Sequence, residues 1–260
     1  MNTETLKTQL RQLRLATAAA ELQEVLAAQK KNVSLDWIST LFTRELDARR
    51  ERAVAARIKC AQFPEVTSLE AFDWDFNPDI NRQVIEELAE LKFVEGNEIA
   101  LFVGKPGTGK THLALAIGLR AVHRGHRVFC TSVKRLAAQI VLERARNNLD
   151  NLFKRVLSSR LLILDDWGVV SMKSDVAEEV FDLLDRRRYS SAMILTSNRD
   201  PDEWGVVFPD PVLASAAIDR IFDRAHIVTF VGESYRAKGR ITLPTTVRSQ
   251  KIRGDELEVN

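Results

Sequence analysis

The chain has 260 residues, 45% of them hydrophobic, a formal net charge of +2 and two cysteines. That supplies a core for one large domain or for a small domain joined to a medium one, and no apolar run approaches the roughly 20 residues that span a bilayer. Cys60 and Cys130 stand apart with no C-x-x-C, which argues against a disulfide framework or a zinc site, and the polar Met1–Lys7 segment lacks the apolar core of a secretory signal, so a cytoplasmic protein is expected.

Leu6, Leu10, Leu13, Ala20, Leu22, Val25 and Leu26 recur near a 3.6-residue period, which predicts one long helix over residues 4–29, ended by Lys30-Lys31-Asn32. Ser34 is the expected cap of a second helix, with Asp36 in its first turn favouring the dipole. Its apolar face carries Trp37, Ile38, Leu41, Phe42 and Leu46 before charge takes over at Arg44. A small helical domain over residues 1–62 follows. Pro64 marks the boundary, because the residue before a proline is pushed away from helix. Residues 63–98 read as a linker with Phe63, Phe72, Trp74 and Phe76, then a helix over 80–93 whose polar face holds Asn81, Glu86, Glu87 and Glu90.

Ile99 to Val103 is an apolar run that predicts a buried strand, and helix periodicity resumes near Gly109 with Leu113, Ala116, Ile117 and Arg120. Between them Gly104-Lys105-Pro106-Gly107-Thr108-Gly109-Lys110-Thr111 is the P-loop pattern G-x-x-x-x-G-K-T in its required strand–loop–helix context. The glycines permit positive φ and let backbone N–H groups approach phosphates, and the helix N-terminus adds about half a positive charge there. Lys110 is placed for the β/γ-phosphates and the Thr111 hydroxyl for Mg²⁺. The linker aromatics upstream then have two readings, folding over the nucleotide base or packing on the sheet.

Arg127–Thr131 reads as the next strand, followed by helices over 134–146 and 149–159. Leu161-Leu-Ile-Leu-Asp165-Asp166 is a buried strand ending in carboxylates, the Walker B arrangement: Asp165 is placed to hold Mg²⁺ and Asp166 to activate a water. A helix over 174–188 with Val176, Val180, Phe181 and Leu184 follows. Next come a strand, Ala192–Asn198, whose Thr196 or Asn198 could orient that water, a helix over 211–224 and a last strand, Ala225–Phe230. Apolar strands alternating with helices predict an α/β fold with a three-layer parallel sheet. His123 and His126 flank Gly125 in an expected surface turn with no metal role. Cations cluster at Arg124, Arg127, Lys134, Arg135, Arg144, Arg146, Lys154, Arg155 and Arg160, opposed only by Glu143 and Asp150. They recur at Arg236, Lys238, Arg240, Arg248, Lys251 and Arg253. Such faces on a near-neutral chain point to a polyanion.

The order Walker A, Walker B, strand ending Thr196-Ser-Asn198, then a helix with late arginines resembles an AAA+ ATPase. The extra helices before Walker B resemble the branch containing DnaA, DnaC and IstB. Leu10–Leu15, Arg44–Arg50, Ala61–Pro64 with Leu69–Asp73, Gly104–Thr111, Leu161–Gly168, Thr196–Asn198 and Gly232–Arg236 resemble the IstB family, the helper ATPases of insertion-sequence transposition. The resemblance implies an AAA+ core over 99–232 and a tail over 233–260 too short for the usual helical lid. It also implies ATP and Mg²⁺ as ligands, Asn198 as sensor 1, and Arg220 as an arginine finger offered to a neighbouring subunit, with Arg224 and Arg236 as further candidates and Arg236 as a candidate sensor 2. The implied function is ATP-dependent assembly on double-stranded DNA, with Lys134, Arg135, Arg144 and Arg146 as contacts, to recruit or stimulate a transposase. A DnaC-like helicase loader and a DNA-binding scaffold clamped by ATP are the alternatives. Asp166 departs from the Glu usual in AAA+ proteins; its carboxylate is one methylene shorter, which implies slow hydrolysis.

Overall fold

In a computed structural model, residues 3–28, 34–169 and 171–237 are described. The five apolar runs form β1 (Ile99–Gly104), β2 (Val128–Ser132), β3 (Leu161–Trp167), β4 (Ala192–Ser197) and β5 (Ala225–Phe230). They pair in parallel in the order β2-β3-β4-β1-β5. β1 and β4 are buried along nearly their whole length, as continuous apolar runs in a doubly covered sheet should be. β5 is an edge strand and alternates, with Val228 and Phe230 inward and His226, Ile227 and Thr229 exposed. Helices cover both faces. On one lie α7 (Val133–Ala145), α8 (Leu149–Leu157), α9 (Ser174–Arg187) and α10 (Pro211–Phe222). On the other lie α6 (Lys110–His123), α4 (Arg82–Ala89), α5 (Lys92–Glu95) and the end of α3 (Asp36–Ala61). These are the expected three layers.

Order in the sheet positions the site. β4 lies between β1 and β3, so the P-loop after β1, the carboxylates ending β3 and the polar end of β4 meet at one edge. The β3–β4 register slips between Leu164 and Trp167, and within that bulge Asp166 takes φ +59°. A bulge re-aims side chains.

The N-terminal half corrects four expectations. The single helix over 4–29 is two, α1 (Thr3–Gln12) and α2 (Ala16–Ala27). Arg14 turns left-handed at φ +62°, while Leu15 N donates to Leu10 O and Arg14 N to Arg11 O, a Schellman closure without glycine. A straight helix of that span would run about 38 Å with an uncovered stripe; folding back buries Leu6, Leu10 and Ala19 against Ile38 and Phe42. Ser34 is not the cap of α3: its Oγ accepts from Asp36 N at 3.4 Å, but Leu35 occupies the cap position. On α3 only part of the expected face is covered, because Gln9 of α1 bonds Ser39 and turns Trp37 and Leu41 to the exterior, 64% and 55% exposed. The helix over 80–93 is likewise two, since Leu91 at φ +67° separates α4 from α5 and Asn81 caps α4 through Val84 N. The expected stop at residues 30–32 and the basic stretch and short lid beyond Ala237 lie outside the described residues.

One buried cation was not anticipated. Arg187 is fully buried on α9, and its guanidinium donates to Val156 O, Ser159 Oγ, Ser159 O and Ala192 O. Burial pulls its pKa down, and these acceptors at the end of α8 and the start of β4 hold the charge in place. Arg187→Met should therefore lower stability by about 3 kcal/mol, because it removes four bonds and orphans buried carbonyls. Exposed Arg186→Met should change it little. Urea unfolding midpoints of the two variants check this.

Candidate functional site

The P-loop backbone is pinned from outside as well as by its own sequence. Gly107 and Gly109 have φ +82° and +101°. A Cβ on Gly107 would sit 2.0 Å from Ser234 Oγ, and one on Gly109 would sit 2.5 Å from the Phe72 ring. Glycine is thus required twice over, by conformation and by close approach. Inside the loop Thr108 Oγ1 donates to Lys105 O at 2.9 Å, and Lys110, 4% exposed, donates through Nζ to Gly104 O and Lys105 O, both at 2.7 Å. Burial pushes the Lys110 pKa down to about 8 against the pull of Asp166 and Asp165. A buried ammonium held only by carbonyls is the cradle an anionic phosphate fits.

Across from it, Asp165 Oδ1 accepts from Thr111 Oγ1 at 2.8 Å and from Thr196 Oγ1 at 2.5 Å. Thr111 and Asp165 form an oxygen donor pair of the kind a hard divalent cation takes. Asp166 N donates to Thr196 Oγ1 at 3.1 Å, and Asn198 Nδ2 donates to Asp166 Oδ1 at 3.1 Å. Desolvation, then the neighbouring Asp165, raise the Asp166 pKa, while Asn198, Arg236 and Lys110 oppose the rise.

Lys110, Thr111, Asp166, Asn198 and Arg236 line one cavity of about 290 Å³, with Phe72, Phe76 and Tyr235 along its other wall. Of the linker aromatics, Phe63 packs on the core beside Gly118, while Phe72 packs against Gly109 and Trp74 at the cavity. Asn77 went unnoticed in the sequence. Only 4% exposed, it accepts from Glu233 N at 3.0 Å and donates to Glu233 O at 3.1 Å, so a side-chain amide joins the linker to the tail as a strand would. Tyr235 N continues the tail to Gly107 O at 2.9 Å, and its ring meets Phe76 edge-on at 5.0 Å. The Asn77-Pro78 dipeptide was the available signal, since Asn-Pro marks a turn; nothing local named its partner 156 residues away.

The remaining candidates lie elsewhere. Arg220 is held by Asp185 (Nε–Oδ1 3.0 Å) and lies over Phe181, and Arg224 pairs with Glu98 at 3.2 Å. Lys134 and Arg135 are exposed at the start of α7, whereas Arg144 binds Asp175 and Glu179 and Arg146 lies 3.8 Å from Glu143. Of the four expected DNA contacts, two are thus engaged by carboxylates.

Residues 5–242 match the sequence profile of the IstB-like ATP-binding proteins. An ATP-binding protein of insertion sequence IS21 from Pseudomonas aeruginosa is 40% identical over 212 residues, covering 82% of this chain and 80% of that protein. Among solved structures, AMPPCP-bound DnaA from Aquifex aeolicus superposes with a TM-score of 0.54 at 27% identity, covering 68% of this chain and 53% of DnaA. The DnaC helicase loader superposes at 0.51 with 21% identity, covering 61% of this chain and 98% of the loader. The fold is that of these AAA+ domains.

Cutting the linker–tail bond should loosen the cavity wall without touching the P-loop. Asn77→Ala loses two buried hydrogen bonds at roughly 1 kcal/mol each, so nucleotide affinity should fall by up to about thirtyfold. Isothermal titration with a nonhydrolysable ATP analogue reads this, and an unchanged affinity would separate the tail from nucleotide binding.

Proposed function

The chain belongs to the IstB-like ATP-binding proteins of insertion sequences, and from that premise we propose a Mg²⁺-dependent ATPase that assembles on duplex DNA and recruits or stimulates a transposase. One arrangement carries this reading: a buried lysine, a threonine–aspartate oxygen pair and a second, anchored carboxylate around a single cavity. Lys110 turns from its two carbonyls to the β/γ-phosphates. Thr111 and Asp165 would hold a Mg²⁺ ion, which would supply Lewis-acid charge neutralisation. Asp166 is the base. Its raised pKa brings it closer to the range where a general base works, and Asn198 fixes one of its oxygens. The cavity wall of Phe72, Phe76 and Tyr235 takes the apolar face of the base.

Assembly supplies what one subunit lacks. Among the described residues Arg236 is the one arginine lining the cavity, which favours Arg220, held by Asp185 and Phe181 at the end of α10, acting on a neighbour's phosphate. Residues 1–62 serve oligomerisation or partner binding, and the insertion-sequence context favours a transposase as that partner. Lys134 and Arg135 contact duplex DNA through phosphates, largely without regard to sequence. The protein works in the cytoplasm; among the described residues no helix is long and apolar enough to cross a membrane.

Hydrolysis is expected to be slow and to time release from DNA. Asp166→Asn should bind ATP yet hydrolyse it about 10²–10⁴-fold more slowly, the usual contribution of a general base, and should stay longer on DNA. Lys110→Ala should lose ATP affinity by tenfold or more, given about 1.5–3 kcal/mol per charged phosphate contact. Single-turnover hydrolysis with DNA residence times decides both; turnover at the parental rate in Asp166→Asn removes that residue from the role.

If Arg220 acts on a neighbour, Arg220→Ala binds ATP and hydrolyses it poorly alone. Mixing it with Lys110→Ala should restore part of the activity, because one class of interface then joins an intact P-loop to an intact arginine. No recovery in demonstrably mixed oligomers would return Arg220 to a role within its own subunit.

A further inference from the structure

At the open edge of the sheet, α3 on one face and α8 on the other leave a cavity of about 460 Å³ against the start of β2. Four cations line it and no carboxylate does: Arg57 and Lys59 of α3, Arg127 just before β2, and Arg155 of α8. None of the four forms an ion pair among the described residues. Earlier on the same helix the pattern is different, since Arg49 and Arg52 pair with Glu45, and Arg50 with Asp47. The Arg155 guanidinium lies over the Phe129 ring, 5.7 Å from its centroid, which holds it at the cavity floor.

Helix dipoles explain only part of this. Lys59 and Arg155 sit in the last turns of α3 and α8, where each offsets roughly half a negative charge. Two half-charges balance one cation of the four, and the end of α8 already has buried Arg187 on its carbonyls. Arg57 and Arg127 are in neither last turn. The cavity is left strongly positive, with guanidinium forks suited to phosphate oxygens.

We infer that this cavity seats a phosphate group of the DNA backbone, as a second contact separate from Lys134 and Arg135. The inference rests on the DNA-binding reading above and adds where the DNA lies. Arg127 precedes β2 and Lys134 follows it. Five strand residues span about 17 Å, so the two cation groups grip one duplex at both ends of the edge strand.

Cys60 lines this cavity and is exposed, whereas Cys130 is buried with its thiol pushed up to about 12. Of the chain's two cysteines only Cys60 should react with a thiol reagent at neutral pH, which makes it a reporter. The full chain is labelled with a nonhydrolysable ATP analogue alone, with analogue plus duplex DNA, and with inorganic pyrophosphate at matched ionic strength. Labelling of Cys60 should slow in proportion to the fraction of chain on DNA and stay at the free rate with analogue alone. In parallel, Arg57→Gln/Lys59→Gln should keep ATP affinity and reduce the slope of log affinity for duplex against log salt by about two units. Lys134→Gln/Arg135→Gln should reduce it independently. An unchanged slope with unprotected Cys60, in a parent that binds duplex, overturns the inference and leaves the DNA reading standing. Protection by analogue alone means that a subunit covers the cavity, and protection by pyrophosphate but not duplex means that the ligand is a free anion; either overturns it. A parent that binds no duplex at low salt refutes the DNA reading itself, and this inference with it.

Discussion

A single carboxylate oxygen, Asp165 Oδ1, ties the site together. It accepts from Thr111, 54 residues before it, and from Thr196, 31 residues after it, so the start of α6, the end of β3 and the end of β4 share one acceptor. Hydrogen bonds to an ionised group are the stronger ones, about 1.5–3 kcal/mol each, and here two converge. Thr196 carries the constraint one residue further by accepting from Asp166 N. Asp165 and Asp166 are therefore set relative to the P-loop by the same three-way junction.

The same junction accounts for the unusual backbone of Asp166. A non-glycine residue in the left-handed region costs of order 1–3 kcal/mol and persists where its surroundings over-determine it. The bulge after Leu164, the bond to Thr196 and the amide of Asn198 do so. Asp is among the residues that tolerate this region best, which gives the short carboxylate at this position a conformational reason. Around the other side of the cavity, the linker and the tail close on each other through Asn77 and Glu233. Linker and tail thus complete the wall of the cavity beside the P-loop.

Charge in this chain is informative only after pairing is known. Arg144 and Arg160 belong to the basic stretch before Walker B, yet the first is bound by Asp175 and Glu179 and the second by the carbonyls of Ser190 and Glu95. Arg57 and Lys59, which follow the paired Arg49, Arg50 and Arg52 on the same helix, have no such partners among the described residues. A count of cations along the sequence weighs these groups equally; the electrostatic field they create does not.

The strands, the P-loop and the Walker B carboxylates were legible because their signals are local: continuous apolar runs, a glycine spacing, acids at a strand end. The broken helices at Arg14 and Leu91 were not, because periodicity continues through both breaks and only burial against α3 and the sheet selects the fold-back. Asn198, expected to end its strand, follows β4, and its bond to Asp166 depends on which strand lies beside which. Asn77, Arg187 and the basic cavity at β2 escaped for one reason: each is defined by partners about 30 to 160 residues away, and no pattern within a window carries that pairing. The sequence by itself determined the chemistry at the end of each strand. The order of the strands and the closing of linker on tail, which only tertiary packing decides, determined which of those groups face one another.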